Sequence, residues 1–409
     1  MNLQDIFKDA KEWVENSLSF EINKYNNLFE ITIRILGGLL SAYNLSGDKI
    51  FLEKAYDLGN RSLAAFQTPS SIPFSDINLK KRHAKSPYWT TDSSISEVAT
   101  LQLEFKELSY LTGDDRFKTA VNKVSKAIHK LNKPNGLVPI YISTTSGNFM
   151  GRTITLGARG DSYYEYLLKQ WIQTGAVFDK NHENYYLLED WLTSVKGVEE
   201  KLIRKTKPNG LTFIGELIGG SFSPKMDHLV CFYPGNLALG ALFLKDHSEF
   251  HNEAKHLLEL AKQLTETCNQ MYVQMETGLS PEIAHFNTVE GSKEDIYIKD
   301  ADRHNLLRPE TVESLYYMYK ITGEKKYQQY GWKIFEAFEK YTKIESGGYT
   351  SIDNVRSPSG TRPRDKMESF FLAETLKYLY LLFEDETNEN FDLKKWIINT
   401  EAHLSPVHY

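Results

Sequence analysis

Apolar residues recur along this chain at helical spacing, in long runs that come in pairs. The runs FKTAVNKVSKAIHKL (117–131) and YQQYGWKIFEAFEKY (327–341) place apolar side chains three and four apart, the stripe of an amphipathic helix. Similar punctuation precedes helical runs three times: Leu45-Ser46-Gly47-Asp48, Leu111-Thr112-Gly113-Asp114 and Ile321-Thr322-Gly323-Glu324. Gly fits a left-handed helix cap, and the acid after it begins the next helix near its positive N-terminus. The pattern predicts helical hairpins.

A second pattern lies between the hairpins. TPSSIPFSDI, KPNGLVPIYI, KPNGLTFIGEL, ETGLSPEIAHF and ESGGYTSIDNV each put a Gly- or Pro-rich turn beside a short apolar stretch, which predicts short strands. Anchored on Ile72, Leu137, Leu211, Leu279 and Tyr349, they recur at steps of 65, 74, 68 and 70 residues. The unit is helix, helix, short strands. A repeat this long, offering one inward helix each time, predicts an all-α closed toroid of helical hairpins rather than an open solenoid. No Pro/Gly/Ser-rich linker or charge block divides residues 1–409, so one domain is expected.

Composition narrows the class. The 409 residues are 41% hydrophobic and 25% charged, with 24 Tyr and 22 Phe, ordinary for a globular chain but rich in rings. A net charge of -6 without a basic run argues against nucleic-acid partners. No stretch holds the roughly 18 uninterrupted apolar residues of a membrane span. The first residues carry no signal-like apolar core, which by itself suggests the cytosol. There, Cys231 and Cys268, the only two cysteines, would ordinarily be free core thiols.

Acids follow the same rhythm. Glu30, Glu97, Asp161, Asp227, Glu310 and Glu374 stand 67, 64, 66, 83 and 64 residues apart, each in an apolar, helix-like setting. Buried acids are costly unless something binds them, so a ring that aims them at one axis would build an active site or an ion site. Each has a plainer explanation. Glu30 could form an exposed i,i+4 pair with Arg34, although Phe29, Ile31 and Ile33 suggest partial burial and a raised pKa. Asp161 could cap a helix starting at Ser162, with Glu165 one turn on. Glu310 and Glu313, after Arg308 and Pro309, could be dipole complements. Phe370 and Glu374 share a helix face, the ring-plus-carboxylate pair that holds a pyranose. Arg159 beside Asp161 and Tyr163 suits a sugar site as well as a surface.

Long collinear segments carry a resemblance. NLFEITIRILGGLLSAYNLSGD, LGARGDSYYEYLLKQW, MDHLVCFYPG, METGLSPEI, DRHNLLRPETVESLYY, DKMESFFLAETLKYL and NTEAH are similar to the class I α1,2-mannosidases, glycoside hydrolase family 47. The resemblance implies an (α/α)7 barrel and Ca²⁺-dependent, inverting removal of terminal α1,2-linked mannose from high-mannose N-glycans. It further implies Glu30 as general acid through a water, Glu310 as general base and Asp161 as the third catalytic acid. Thr400 would bind Ca²⁺ through its hydroxyl and carbonyl. Glu97, Glu313, Glu374 and Glu401 would surround sugar and ion, Phe370 would stack on the sugar, and Arg34, Arg308 and His228 would complete the pocket. Arg159 matches the endoplasmic-reticulum type, which chiefly trims one mannose. A Cys231–Cys268 disulfide is implied too, and with it the lumen of the endoplasmic reticulum or Golgi instead of the cytosol.

One departure accompanies these matches. Members carry further helices before the segment that holds Glu30, so the first hairpin of the barrel is expected to be incomplete. That gap motivates an alternative from another class, a mannose-glycan-binding protein of glycoprotein quality control without turnover. A toroid epimerase is the remoter third.

Overall fold

A computed structural model of the chain describes residues 3–88, 90–384 and 391–409. Its described residues form two concentric sets of helices. The inner set comprises Leu28–Ser46, the pair Ile95–Ala99 and Gln102–Thr112, Asp161–Gln173, His228–Leu244, Glu310–Thr322, and the stretch from Phe371 to Phe383. Lys49–Ser62, Arg116–Lys130, Tyr185–Lys201, His251–Val273 and Lys326–Tyr341 follow them as outer helices. The helix Gln4–Asn16 packs outside Lys49–Ser62, with the Phe7 and Phe51 rings 5.9 Å apart.

Local chemistry makes the hairpins. Gly47, Gly113 and Gly323 all cap inner helices with φ between 70° and 74°, the left-handed backbone that glycine adopts without strain. The outer helices bury only one stripe: Phe117, Val121, Val124, Ser125 and Ile128 on Arg116–Lys130. The inner helices bury more of their circumference, and Asp161–Gln173 is buried at every position from Ser162 to Gln173. That wider burial explains why the inner stretches read as apolar runs with isolated acids.

Short antiparallel sheets cap the barrel on the side where the inner helices begin. Four of the five predicted β segments contribute strands, at Asp76–Asn78, Tyr141–Ser143, Thr212–Ile214 with Glu216–Ile218, and Ile283–Phe286. The fifth, ESGGYTSIDNV, makes only isolated bridges such as Lys343 with Tyr349. A C-terminal hairpin, Trp396–Ile398 with Leu404–Pro406, bonds to both the first and the sixth inner helices. Asn399 donates to the Ile33 carbonyl (3.0 Å), Leu404 N–H to Ser41 (3.1 Å) and Lys377 to the Ala402 carbonyl (2.8 Å).

The apolar helix Leu28–Ser46 is, among the described residues, the one long and apolar enough to cross a membrane, yet it forms barrel wall and carries Glu30 and Arg34 toward the interior. Beside the sixth inner helix, Leu372, Trp332, Tyr380 and Phe383 form an exposed apolar face. Cys231 and Cys268 form a disulfide with Cα atoms 5.9 Å apart, tying the start of the fourth inner helix to its outer partner.

Candidate active site

The inner helices and the tip of the C-terminal hairpin surround a cavity of about 300 Å³. Glu30, Arg34, Glu97, Arg159, Asp161, Arg308, Glu310, Glu313, Phe370, Glu374, Thr400 and Glu401 all line it. Residues drawn from positions 30 to 401 therefore converge as the repeat predicts. Asp227 and His228 do not reach the cavity wall.

On the first inner helix, Asn27 caps the start by accepting from the Glu30 N–H (3.0 Å). A π-helical stretch, Ile31–Leu36, follows, a local widening common at functional sites. Arg34 donates to Glu30 (2.6 Å), to Ser369 (3.0 Å) and to Glu401. The Glu30 side chain is 46% exposed, the partial burial that its apolar neighbours suggest. The sixth inner helix carries a second π stretch, Phe371–Thr375, at Glu374. Just before it, the Phe370 ring has the Arg34 and Arg308 guanidinium groups 5.8 and 5.7 Å from its centre.

Burial governs the charge of Asp161. Its helix begins at Asp161 itself, one residue earlier than predicted, with Gly160 in the cap position. Ser96 (2.7 Å) and the Ser162 N–H (2.8 Å) both donate to Oδ1. Burial outweighs these bonds and pushes the carboxyl up to about 7. Arg159 has a left-handed backbone, φ 72°, with its guanidinium 5.7 Å from the Tyr141 ring centre. Its carbonyl accepts from the Ser96 N–H (3.1 Å), which couples the Arg159 turn to the serine that holds Asp161.

Glu310 is the opposite case. Burial pushes its carboxyl up, but a 2.6 Å hydrogen bond to His228 Nδ1 and the charge of Arg308 more than offset that, leaving it below the ordinary value. His228 is buried behind Glu310, so its place is behind the acid rather than in the pocket. Its Nε2 faces the Tyr272 hydroxyl (2.7 Å) and Thr311 (3.1 Å). The ring thus bridges the Glu310 carboxylate on one side and the Tyr272 hydroxyl on the other. Arg308 is fixed in turn by Glu282, with Nε 2.7 Å from each carboxylate oxygen. Pro309 sits at the helix cap and not in its first turn.

Glu97 has two explanations, and both apply. With Ser94 it forms a capping box, and it also accepts from Asn27 (2.7 Å) and Ser75 (3.0 Å) while lining the cavity. At the floor, Thr400 and Glu401 meet Glu313 and Glu374. Burial first, and then neighbouring carboxylates, push Glu313 up to about 8 and Glu374 well above its ordinary value. Lys169, 1% exposed, lies 2.5 Å from Glu165 and 3.8 Å from Glu313 and is the buried cation of this group.

The raised carboxyls fix a sign for pH dependence. Between about pH 4 and 8 the folded chain keeps protons on Asp161 and Glu313 that the unfolded chain releases. Stability of the chelator-treated protein should therefore fall as pH rises through that window. Melting temperatures at pH 5 and pH 8 check it; a higher value at pH 8 would contradict these assignments.

Glu282, Tyr272, Lys169 and Ser96 were not foreseen. Ser96 lines the cavity itself, whereas Glu282, Tyr272 and Lys169 act through their neighbours. Glu165 was visible only as a second acid on the Asp161 helix.

Comparison with known proteins agrees with this geometry. The chain is 54% identical over 410 residues to the human endoplasmic reticulum mannosyl-oligosaccharide 1,2-alpha-mannosidase, covering all of this chain and 56% of that protein. It is 42% identical to the Schizosaccharomyces pombe protein of the same name, over 99% of this chain and 79% of that one. The chain thus spans little more than half the length of its human relative. An alpha-1,2-mannosidase structure from Trichoderma reesei superposes with a TM-score of 0.88 at 28% identity, covering 99% of this chain and 87% of that one, and the shared fold is the (α/α)7 barrel. Cellobiose 2-epimerase from Spirochaeta thermophila, at TM-score 0.58 and 11% identity, shares the fold alone. The Glycosyl hydrolase family 47 model matches residues 1–407, and the chain belongs to that family.

Proposed function

We propose that the 409 residues work as one catalytic domain that hydrolyses terminal α1,2-linked mannose on high-mannose N-glycans, with inversion, in the lumen of the endoplasmic reticulum or Golgi. The observation that carries this reading is the pairing of two acids in opposite states on one cavity. Glu310 is held ionised by His228 and Arg308, as a base that activates water must be, while burial keeps a proton on Asp161 near neutral pH. The water attacks the anomeric carbon and gives its proton to Glu310. The glycosidic oxygen leaves with a proton from the Glu30 and Asp161 side of the cavity. Inversion needs room for that water, so the acid and base carboxyls should stand roughly 6.5–9.5 Å apart or more. Phe370 offers a face to the sugar, and Arg34 and Arg308 beside it offer N–H donors to its hydroxyls.

The floor suits Ca²⁺. Thr400 supplies a hydroxyl and a carbonyl oxygen, and Glu313, Glu374 and Glu401 stand around it with their charge suppressed by burial and mutual repulsion. Crowded carboxyls of that kind are relieved by a hard cation. No three His, Cys, Asp or Glu side chains form a ready cage among the described residues, which suits an ion held by Thr400 and water with the acids behind the water. Bound there, the ion would supply a positive centre for sugar hydroxyls, held by Thr400 with Glu313, Glu374 and Glu401 behind its waters.

Incubation with a nine-mannose glycan and Ca²⁺ tests the reading. Free mannose should appear, chiefly one per glycan if Arg159 acts as in the endoplasmic-reticulum type, and a chelator should stop it. No release, or release indifferent to chelator, would count against it. Tight glycan binding without release would favour the binding-protein alternative.

A further inference from the structure

A polar face adjoins the cavity wall at Glu97. Strands Tyr25–Asn27, Asp76–Asn78 and His83–Lys85 form one antiparallel sheet, in register Asn27–Asp76–Lys85 and Tyr25–Asn78–His83. Residues directly opposite one another share a face, and so do residues two apart, so all six side chains project from the same side. Ile77, between them, is fully buried on the other side against the core. On the polar face Asn78 is itself buried, 2% exposed, between the bonded pair Tyr25 and His83, which leaves Asp76 and Lys85 as the charged groups of that face.

That face begins at the active site. Asn27 donates to Glu97 (2.7 Å), and Ser75, next to Asp76, donates to the other Glu97 oxygen (3.0 Å). Glu97 is cavity wall. One strand repeat beyond Asn27, about 6.8 Å on, Tyr25 holds its hydroxyl 2.7 Å from His83 Nδ1 and has the Lys85 ammonium 4.2 Å from its ring centre. The ring is thus fixed at one edge by His83 and at one face by Lys85. Asp76 is half-buried, and its carboxylate has no hydrogen bond or ion pair among the described residues; burial first, and then Glu97, push it up while Lys85 pulls it down. A partly desolvated, unbonded carboxylate across a strand from a fixed ammonium presents the acceptor and donor that a pair of neighbouring sugar hydroxyls satisfies.

We propose that Asp76, Lys85 and Tyr25 form a distal subsite that takes a mannose of a second arm of a branched glycan while the first arm enters the cavity. This deepens the proposed function and rests on it for the identity of the glycan. Tyr141, whose ring the Arg159 guanidinium approaches, lies on a second sheet, Asp92–Ser94 with Tyr141–Ser143 and Phe149–Met150, where it pairs with Ser94 of the cavity wall. A branched ligand would then rest one arm on each sheet, and an unbranched disaccharide would touch neither Asp76 nor Lys85.

The test compares binding of a nine-mannose glycan and of α1,2-mannobiose by calorimetry, for the parent chain and for Asp76→Asn, Lys85→Ala and Tyr25→Phe. The parent should bind the glycan more tightly than the disaccharide. Asp76→Asn and Lys85→Ala should each weaken glycan binding about tenfold, the loss of one charge-assisted bond, and leave mannobiose unchanged. Tyr25→Phe keeps the ring and should change glycan binding less. A parent that binds both ligands alike, variants that leave glycan binding intact, or variants that weaken both ligands equally would overturn the proposal. Failure of the hydrolytic reading looks different: variant-sensitive glycan binding without mannose release.

Discussion

Glu310→Gln should lower turnover of a nine-mannose glycan by about 10²–10⁴-fold, the usual worth of a general base, while glycan binding changes little. Gln is nearly isosteric and its amide oxygen can still accept from His228 Nδ1, so the buried relay to Tyr272 survives and the chain should fold as before. What the amide lacks is basicity. The parent carboxylate is ionised because His228 and Arg308 outweigh its burial, and an amide gains nothing from that environment. Single-turnover release and calorimetric binding separate the two effects. Turnover near the parent rate would move the base to another acid. A variant that loses binding and turnover together would show that Glu310 grips the sugar in its ground state.

The second large effect should come from Lys169→Met, by about 3–5 kcal/mol of stability, the cost of stranding buried carboxylates. Lys169 is 1% exposed and is paired with Glu165 at 2.5 Å, with Glu313 within 3.8 Å. Burial works against its charge, but Glu165 and Glu313 outweigh that and hold it protonated. Methionine fills similar volume without charge, so cavity formation adds little. The double variant Glu165→Gln with Lys169→Met should recover part of the loss, since one stranded charge is gone. Added Ca²⁺ should recover part in the single variant, because a cation at the floor replaces some of the missing positive charge. Denaturant midpoints with and without Ca²⁺ provide the measurement. A loss within the ~1 kcal/mol typical of an exposed ion pair would show that the floor is better solvated than its burial indicates.

These two residues differ in how visible they were. Glu310 stood out because it falls on the repeat of acids and inside LRPETVES, a segment carried by the family resemblance. Lys169 looked like one more polar residue on a helix, and only the packing of that helix inside the ring makes it a buried counter-ion. The same division separates Asp161 from Glu30. Both lie among apolar neighbours in sequence, yet Asp161 is closed in by its own helix and the second inner helix. Glu30 remains half open beside Arg34.

His228 is the instructive displacement. Its segment, MDHLVCFYPG, pointed to the pocket, and the structure sets it one layer back, where it fixes the charge state of Glu310. Asp227, which keeps the rhythm of the acids, ends in a largely buried pair with Lys225 (3.0 Å) and stays off the cavity wall. A side chain one position along a backbone faces a different direction, and periodicity at the scale of 65 residues cannot resolve that.

By itself the sequence determined the hairpins, their caps, the interval of the repeat and the convergence of Glu30, Glu97, Asp161, Glu310 and Glu374. Each of these follows from local rules, namely helical spacing, left-handed glycine and one inward helix per unit, repeated until the ring closes. Only the tertiary structure decided which acid is ionised, which keeps its proton, and what stands behind each. Those properties depend on burial and on partners 4 to more than 300 residues away, from Arg34 on Glu30 to Arg34 on Glu401. A carboxyl's charge is set by its surroundings in space, and the chain order does not carry them.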